Sequence, residues 1–256
     1  MSKPSMAYKP GQWLFLNVPP ISTLQWHPFT ITSSPLDPYV SIHVRKTGDF
    51  TSALEHALQD PSAVVRIDGP YGAPAQDVLK NEIAVLIGAG IGVTPWISVL
   101  RHIWHLRNLS PKRLQRVEFI WVCKDTSAVS WFGVMLKTVQ HTFCCDPSFL
   151  NIHIYLTQGA DQTGTGACLH RGSAAADHVN NQLSSIYHGR PDFLNIFQNI
   201  RQDLINETYL DRPSYGIHST VGIYFCGPKA MGKAIQLASQ KCTGHEIQFR
   251  FRKEHF

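Results

Sequence analysis

Ile87-Gly88-Ala89-Gly90-Ile91-Gly92-Val93-Thr94-Pro95 is the stretch that decides how the rest of the chain is read. Three glycines alternate directly after an apolar run, Ile83 to Ile87, of the kind that forms a buried parallel strand. A helix-compatible segment follows from Trp96 to Leu106, with Pro95 suited to a first helical position. The pattern predicts a strand, a tight turn and a helix N-terminus. At such a junction glycine lets the backbone approach a pyrophosphate, and the helix end offers free N–H groups and a partial positive charge. Taken alone the stretch leaves two readings open, a dinucleotide site or a turn made glycine-rich for packing, because its spacing is not G-x-G-x-x-G.

The chain has 256 residues, enough for two modest domains or one large one. Hydrophobic residues make up 43% and charged residues 16%, so a sizeable core is available and global disorder is excluded. The net charge of +5 suits an anionic ligand or an acidic membrane face. No Lys/Arg block interleaved with aromatics is present, so nucleic acid is not an expected partner. The six cysteines form no C-x-x-C pair, so neither a zinc site nor a redox dithiol is expected, and free thiols are the default. His102 and His105 share a helix face, a spacing that more often serves the surface or packing than a metal. No metal site is expected. The apolar runs are far shorter than a membrane span, and Met1 to Pro10 has no apolar signal core, so this chain by itself carries no transmembrane segment.

Residues 12 to 70 read as β. Gln12–Val18, Phe29–Thr32, Tyr39–Arg45 and Val64–Ile67 are strand candidates, with a short helix at Thr51–Leu58 capped by Asp49 or Thr51 and a closing turn at Asp68–Gly72. This predicts a small antiparallel barrel over residues 1–74. After Pro74 strands and helices alternate. Strands are expected at Ile83–Ile87, Val117–Val122, Ile152–Leu156, Val221–Phe225 and Glu246–Phe251, and helices through Arg107, near Ser130–Gln140 and near Ala230–Gln240. That predicts a doubly wound parallel sheet over 75–256, which binds ligands at the carboxyl ends of its strands. Residues 158–191, rich in Gly, Thr, Ala, Asp and Asn, read as a loop insertion.

Several short motifs occupy the predicted strand ends. His27-Pro28-Phe29-Thr30 runs into Ile31-Thr32-Ser33-Ser34-Pro35; alone it is equally an ordinary barrel strand with a satisfied histidine. His43-x-Arg45 precedes Gly48-Asp49-Phe50-Thr51 at the start of a helix. Cys226-Gly227-Pro228 ends a strand and opens a helix, and alone reads as a buried structural cysteine. Trp121-Val122-Cys123-Lys124-Asp125, Trp131-Phe132 and Gly189-Arg190-Pro191-Asp192-Phe193 complete the set, with a terminal Arg250-Phe251-Arg252-Lys253-Glu254-His255-Phe256.

Together and in this order, these motifs resemble the ferredoxin–NADP reductase superfamily. Within it they resemble the C-terminal dehydrogenase region of superoxide-generating NADPH oxidases, which share the HPFT form with ferric reductases. The resemblance implies an FAD-binding barrel followed by an NADPH-binding domain, joined at Asp68-Gly69-Pro70-Tyr71-Gly72. It implies FAD contacts from His27, Pro28, Phe29, Thr30, Ile31, Thr32, Ser33, His43, Arg45 and Thr51. It implies NADPH contacts from Gly88, Gly90, Gly92, Val93, Thr94, Pro95, Cys123, Lys124, Arg190, Cys226, Gly227 and Pro228. Lys124 and Arg190 would meet the adenosine 2′-phosphate, Lys124 as a point charge where arginine is common. No acid ends the second strand at Cys123 or Lys124, which favours NADPH over NADH, although Asp125 is one residue further on. Cys226 and Phe256 would govern the zone where nicotinamide stacks on flavin.

The implied activity is hydride transfer from NADPH to FAD, then single electrons passed through a membrane haem to oxygen. The implied location is the cytosolic face of a membrane, beside cytosolic regulatory proteins. Compared with the family, the chain is expected to lack the first barrel strand and the haem-bearing membrane part. Two alternatives remain: a ferric-chelate or metalloreductase module, and a non-catalytic fragment that docks regulatory partners, perhaps through 158–191.

Overall fold

The computed structural model describes residues 6–106, 113–124, 132–133, 136, 138–139, 149–158, 184–206 and 219–254. They fall into two compact units. One runs to Gln76 and also takes Thr94–His105; the other holds Asp77–Val93 and the described residues between Leu106 and Glu254.

The first unit is built on a three-stranded antiparallel sheet of order β2-β1-β3, with β1 Trp13–Asn17, β2 His27–Thr30 and β3 Arg66–Tyr71. Leu14 and Leu16 alternate inward along β1 and meet Tyr8, Val18, Ile31, Val40 and Leu54 in one core. Two expectations change here. Asp68 to Tyr71 lie inside β3 rather than in a closing turn, because Phe15 pairs with Asp68 and Trp13 with Tyr71 across a register shift. Gly69 makes that bulge possible: its φ of +136° and an approach of 3.2 Å from its Cβ position to Leu14 Cα suit only glycine. Tyr39–Arg45 forms no continuous strand, only single bridge residues at Tyr39 and at Ile42, the latter paired with Ile31. The Thr32 amide donates to the Ser41 carbonyl at 2.8 Å, but the Ser41 amide is taken by Ser33 Oγ at 3.0 Å, so a side chain meets the backbone group that a ladder would pair next.

Helix α1 spans Asp49–Ala57, two residues earlier than expected, with Gly48 as N-cap. Helix α2 spans Thr94–His105, with Pro95 in its first turn. A 3₁₀ turn, Gly90–Val93, leads into it.

The second unit contains a six-stranded parallel sheet of order β7-β6-β5-β4-β8-β9. Its strands are β4 Ile83–Ala89, β5 Arg116–Cys123, β6 Leu150–Leu156, β7 Ser184–His188, β8 Ser219–Cys226 and β9 Ile247–Lys253. Ile83 to Gly88 are buried throughout, as a central strand covered on both faces requires. Chain order runs outward from β4 in both directions, through β5 on one side and β8 on the other, which makes the exit of β4 a topological switch point.

Helices α3 Phe193–Ile205 and α4 Lys229–Cys242 share a core with this sheet: Phe193, Phe197, Ile200 and Leu204 of α3 and Ile235, Ala238 and Cys242 of α4 gather with Val221, Ile223 and Phe225. β7 falls inside the span read as a loop, and α3 was not expected at all. Residues 159–183 of that span, and most of the helix expected near Ser130–Gln140, lie outside the described residues. Among the described residues no helix is long and apolar enough to cross a membrane.

Candidate functional site

Parallel pairing brings the second unit's predicted residues to one edge. Gly88 pairs with Cys226 on one side and Trp121 on the other, so the exits of β4, β5 and β8 are level. Gly90 has φ +54°, a left-handed conformation that favours glycine, and Trp121 Nε1 donates to its carbonyl at 3.0 Å. Gly92 is needed for a different reason. A Cβ there would stand 2.4 Å from the Cys226 carbonyl oxygen and 3.2 Å from Cys226 Sγ. The turn after β4 and the exit of β8 therefore touch through bare backbone. Gly227 is equally confined, since a Cβ would meet Ala89 Cβ at 2.7 Å and the Phe225 ring at 2.9 Å. Val93, Thr94 and Pro95 are buried as α2 begins.

Cys226 is 7% exposed. Burial, with the nearby Glu254 carboxylate, pushes its thiol up to about 12, so it is a neutral, weakly polar surface at physiological pH. Glu254 is itself buried, and its amide donates to the Phe225 carbonyl at 2.8 Å. Phe256 lies outside the described residues.

Two cations stand at the carboxyl ends on the far side of the switch point. Lys124 follows β5 directly and is exposed. The Gln158 amide donates to its carbonyl at 2.7 Å and the Thr157 amide to that of Cys123 at 2.9 Å. Arg190 follows β7, exposed, after Gly189, whose φ is +101° and whose amide donates to the Leu156 carbonyl at 2.8 Å. β5 and β7 are separated by β6 alone, so the strand ends carrying the two cations are roughly 10 Å apart. Among the described residues no carboxylate is paired with either cation; Asp125 lies outside them. A polar cavity of about 320 Å³ elsewhere in this unit, lined by Asn81, Thr220, Tyr224, Arg250 and Arg252 among others, contains none of the predicted residues.

In the first unit the predicted residues form a second group. The His27 ring stacks on Phe50 of α1, with centroids 3.6 Å apart, and its Nε2 is buried without a partner among the described residues. Pro28 is exposed and Phe29 half-buried, whereas Thr30, Ile31, Thr32 and Ser33 are buried. Thr32 Oγ1 is shared between Ser41 and His43 Nδ1, the latter at 2.8 Å, and Ser33 Oγ bonds Tyr8 Oη at 2.8 Å. The hydroxyls of Thr32 and Ser33 are thus committed within the protein, leaving backbone groups and the His27 nitrogen as the polar features this strand can offer. Desolvation, with the Arg101 guanidinium, lowers the His43 imidazole from its ordinary value although the residue is exposed, and the local cation is exposed Arg45. Thr51 Oγ1 accepts from the amides of Gly48 at 3.0 Å and Thr47 at 2.9 Å, which holds the start of α1 in place.

Sequence reasoning missed a third cluster. Asp37, 4% exposed, accepts from the Ser34 amide at 2.7 Å, Arg101 Nε at 3.0 Å and His105 Nε2 at 2.7 Å. The available signal was a row of polar residues on an otherwise apolar α2.

Known proteins give a consistent picture. The family model for the ferric reductase NAD binding domain matches residues 81–240, and that for an FAD-binding domain matches residues 1–75. NADPH oxidase 1 of Mus musculus is 34% identical over 266 residues, covering 100% of this chain and 43% of that protein. NADPH oxidase 3 of Homo sapiens is 32% identical over 272 residues, covering 100% of this chain and 46% of that protein. The chain thus spans less than half the length of these relatives. Among solved structures, a ferredoxin NADP+ reductase from Neisseria gonorrhoeae with bound FAD and NADP has a TM-score of 0.57 at 14% identity, covering 98% of this chain and 89% of that one. The cytochrome b5 reductase domain of Ulva prolifera nitrate reductase has a TM-score of 0.56 at 15% identity, covering 95% and 85%. Both share the fold.

Proposed function

This chain belongs to the ferric reductase NAD binding domain family, and on that premise we propose that it is the dehydrogenase module of a superoxide-generating NADPH oxidase. The observation that carries the reading is the common strand-end edge shared by Gly88–Gly92, Lys124, Arg190 and Cys226. When bound, NADPH supplies a hydride and FAD is its acceptor.

The residues fit both groups. On the flavin side His27 keeps a buried ring nitrogen without a partner among the described residues, Arg45 is an exposed cation, and α1 begins at Gly48 and Asp49, both exposed. On the nucleotide side the glycine turn offers backbone to a pyrophosphate, and Lys124 with Arg190 offers two exposed cations to a 2′-phosphate. Cys226 and Gly227 provide a small, uncharged surface where a nicotinamide ring can lie, and Phe256 is assigned the stacking role that the family pattern gives it. No acid or base is needed among these side chains, since a hydride carries its own electron pair. In a longer protein of the relatives' kind, electrons would continue through haem to oxygen at a membrane, with the chain on its cytosolic face and regulatory proteins beside it.

The test is direct. Purified chain with FAD should oxidise NADPH with ferricyanide as acceptor; absence of both flavin uptake and NADPH oxidation would sink the reading and leave a docking role. The family description itself keeps a ferric reductase in view. Superoxide rather than ferrous iron from the full-length protein separates the two.

A further inference from the structure

We propose that Asp37 is a positioning residue for the NADPH turn, acting through α2; the inference rests on the dehydrogenase reading above. Ser98, Arg101, His102 and His105 follow at steps of three, one and three, so they form a single stripe on α2. Every one of them reaches the short segment Ser33–Asp37, which directly follows the flavin signature. Ser98 Oγ donates to the Ser33 carbonyl at 2.7 Å, and Ser34 Oγ bonds His102 Nδ1 at 3.1 Å. Arg101 and His105 both converge on Asp37, and Arg101 also bonds the Tyr39 hydroxyl.

Asp37 is the hub. It is almost fully buried, it caps its own turn through the Ser34 amide, and it is the carboxylate that receives both Arg101 and His105. A buried carboxylate that accepts from three groups holds those groups in one geometry. What it fixes is a helix whose first residue, Thr94, is joined directly to the turn Gly90–Val93. The segment that follows the flavin signature therefore anchors the helix to which the nucleotide turn is joined. A hydride moves only over a short, aligned path, and a misplacement of about 1 Å costs on the order of a hundredfold in rate. A hub that removes slack from α2 limits the slack of the turn joined to its first residue, without touching either cofactor.

The experiment pairs Asp37→Asn with wild type in the full chain. Amide exchange is read first, because it needs no activity: exchange over residues 90–105 should rise about tenfold in the variant while the β4, β5 and β8 amides are unchanged. With FAD bound, hydride transfer from NADPH should slow about tenfold or more, while FAD affinity changes less than about threefold. The losses in Arg101→Gln and Asp37→Asn should be less than additive in the double variant, since both changes break the Arg101–Asp37 contact. Unchanged exchange in residues 90–105 overturns the proposal, and so does a rate loss that only tracks lost flavin. If Asp37→Asn does not fold, His105→Gln and Arg101→Gln carry the same exchange measurement. A wild type that oxidises no NADPH defeats the dehydrogenase reading, and the exchange result then decides whether the hub exists.

Discussion

At the scale of single residues, Gly92 and Cys226 define each other. The glycine is required because the Cys226 carbonyl occupies the place of its Cβ. Gly92→Ala forces two backbones apart, and unfolding in urea should show a loss of about 1–3 kcal/mol. Gly92→Ala should also raise the KM for NADPH, since the turn moves with the strain. Cys226 sits on the other side of this contact with its thiol held at about 12. Against the ordinary value of 9.0, that leaves about a thousandfold less thiolate at neutral pH. Iodoacetamide at pH 7.5 should therefore leave Cys226 unmodified in the folded chain, as read by peptide mass spectrometry; rapid labelling would mean that the strand exit is open. Both residues were visible in the sequence as motif members. Their mutual contact was not, because it depends on β4 and β8 being neighbours although more than a hundred residues separate them.

At the scale of elements, legibility followed the strength of local pattern. The strand at Ile83–Ala89 was read almost to its ends because an uninterrupted apolar run has few alternatives. β7 was lost inside a polar, glycine-rich span, since a short strand of Ser, Ile, Tyr and His has no alternation to betray it and is specified by pairing with β6. α3 carries a readable stripe, Phe193, Phe197, Ile200 and Leu204, and an N-cap in Asp192, whose side chain accepts from the Asn195 amide at 3.1 Å. The Gly189–Phe193 motif ends where that periodicity begins, so the two signals overlap at Phe193.

α2 shows the converse, an element found correctly whose polar stripe gained meaning only from its partner, Asp37. Burial pushes the Asp37 carboxyl up, but hydrogen bonds from His105, the Ser34 amide and Arg101 outweigh it, so the net shift is down from the ordinary 3.8. A carboxylate lowered in the folded state contributes stability above its ordinary value and loses it as pH falls through the folded one. Acidification from about pH 5 to about pH 3 should therefore reduce the urea midpoint of wild type more than that of Asp37→Asn. Equal pH slopes in the two proteins would remove Asp37 from the acid response.

At the scale of the whole molecule, the two units divide the proposed work, and that division is itself testable. The flavin-signature residues belong to the first unit, whereas Lys124 and Arg190 belong to the second. Lys124 is a compact charge on a flexible stem, and Arg190 a planar fork, so Arg190 should contribute the larger share of 2′-phosphate discrimination. Loss of a charge-assisted contact of this kind is worth about 1.5–3 kcal/mol, roughly ten- to a hundredfold in kcat/KM. Arg190→Ala should lower the NADPH-to-NADH ratio of kcat/KM by about that factor, and Lys124→Ala by less. Activity with NADH should hardly change in either variant, because NADH has no 2′-phosphate for these groups to meet. FAD affinity should also be unchanged, since neither residue lies in the unit that carries the flavin signature. A fall in NADH and NADPH rates together would assign these cations to general attraction of anions, and the choice of nucleotide would then have to come from elsewhere at the ends of β5 and β7.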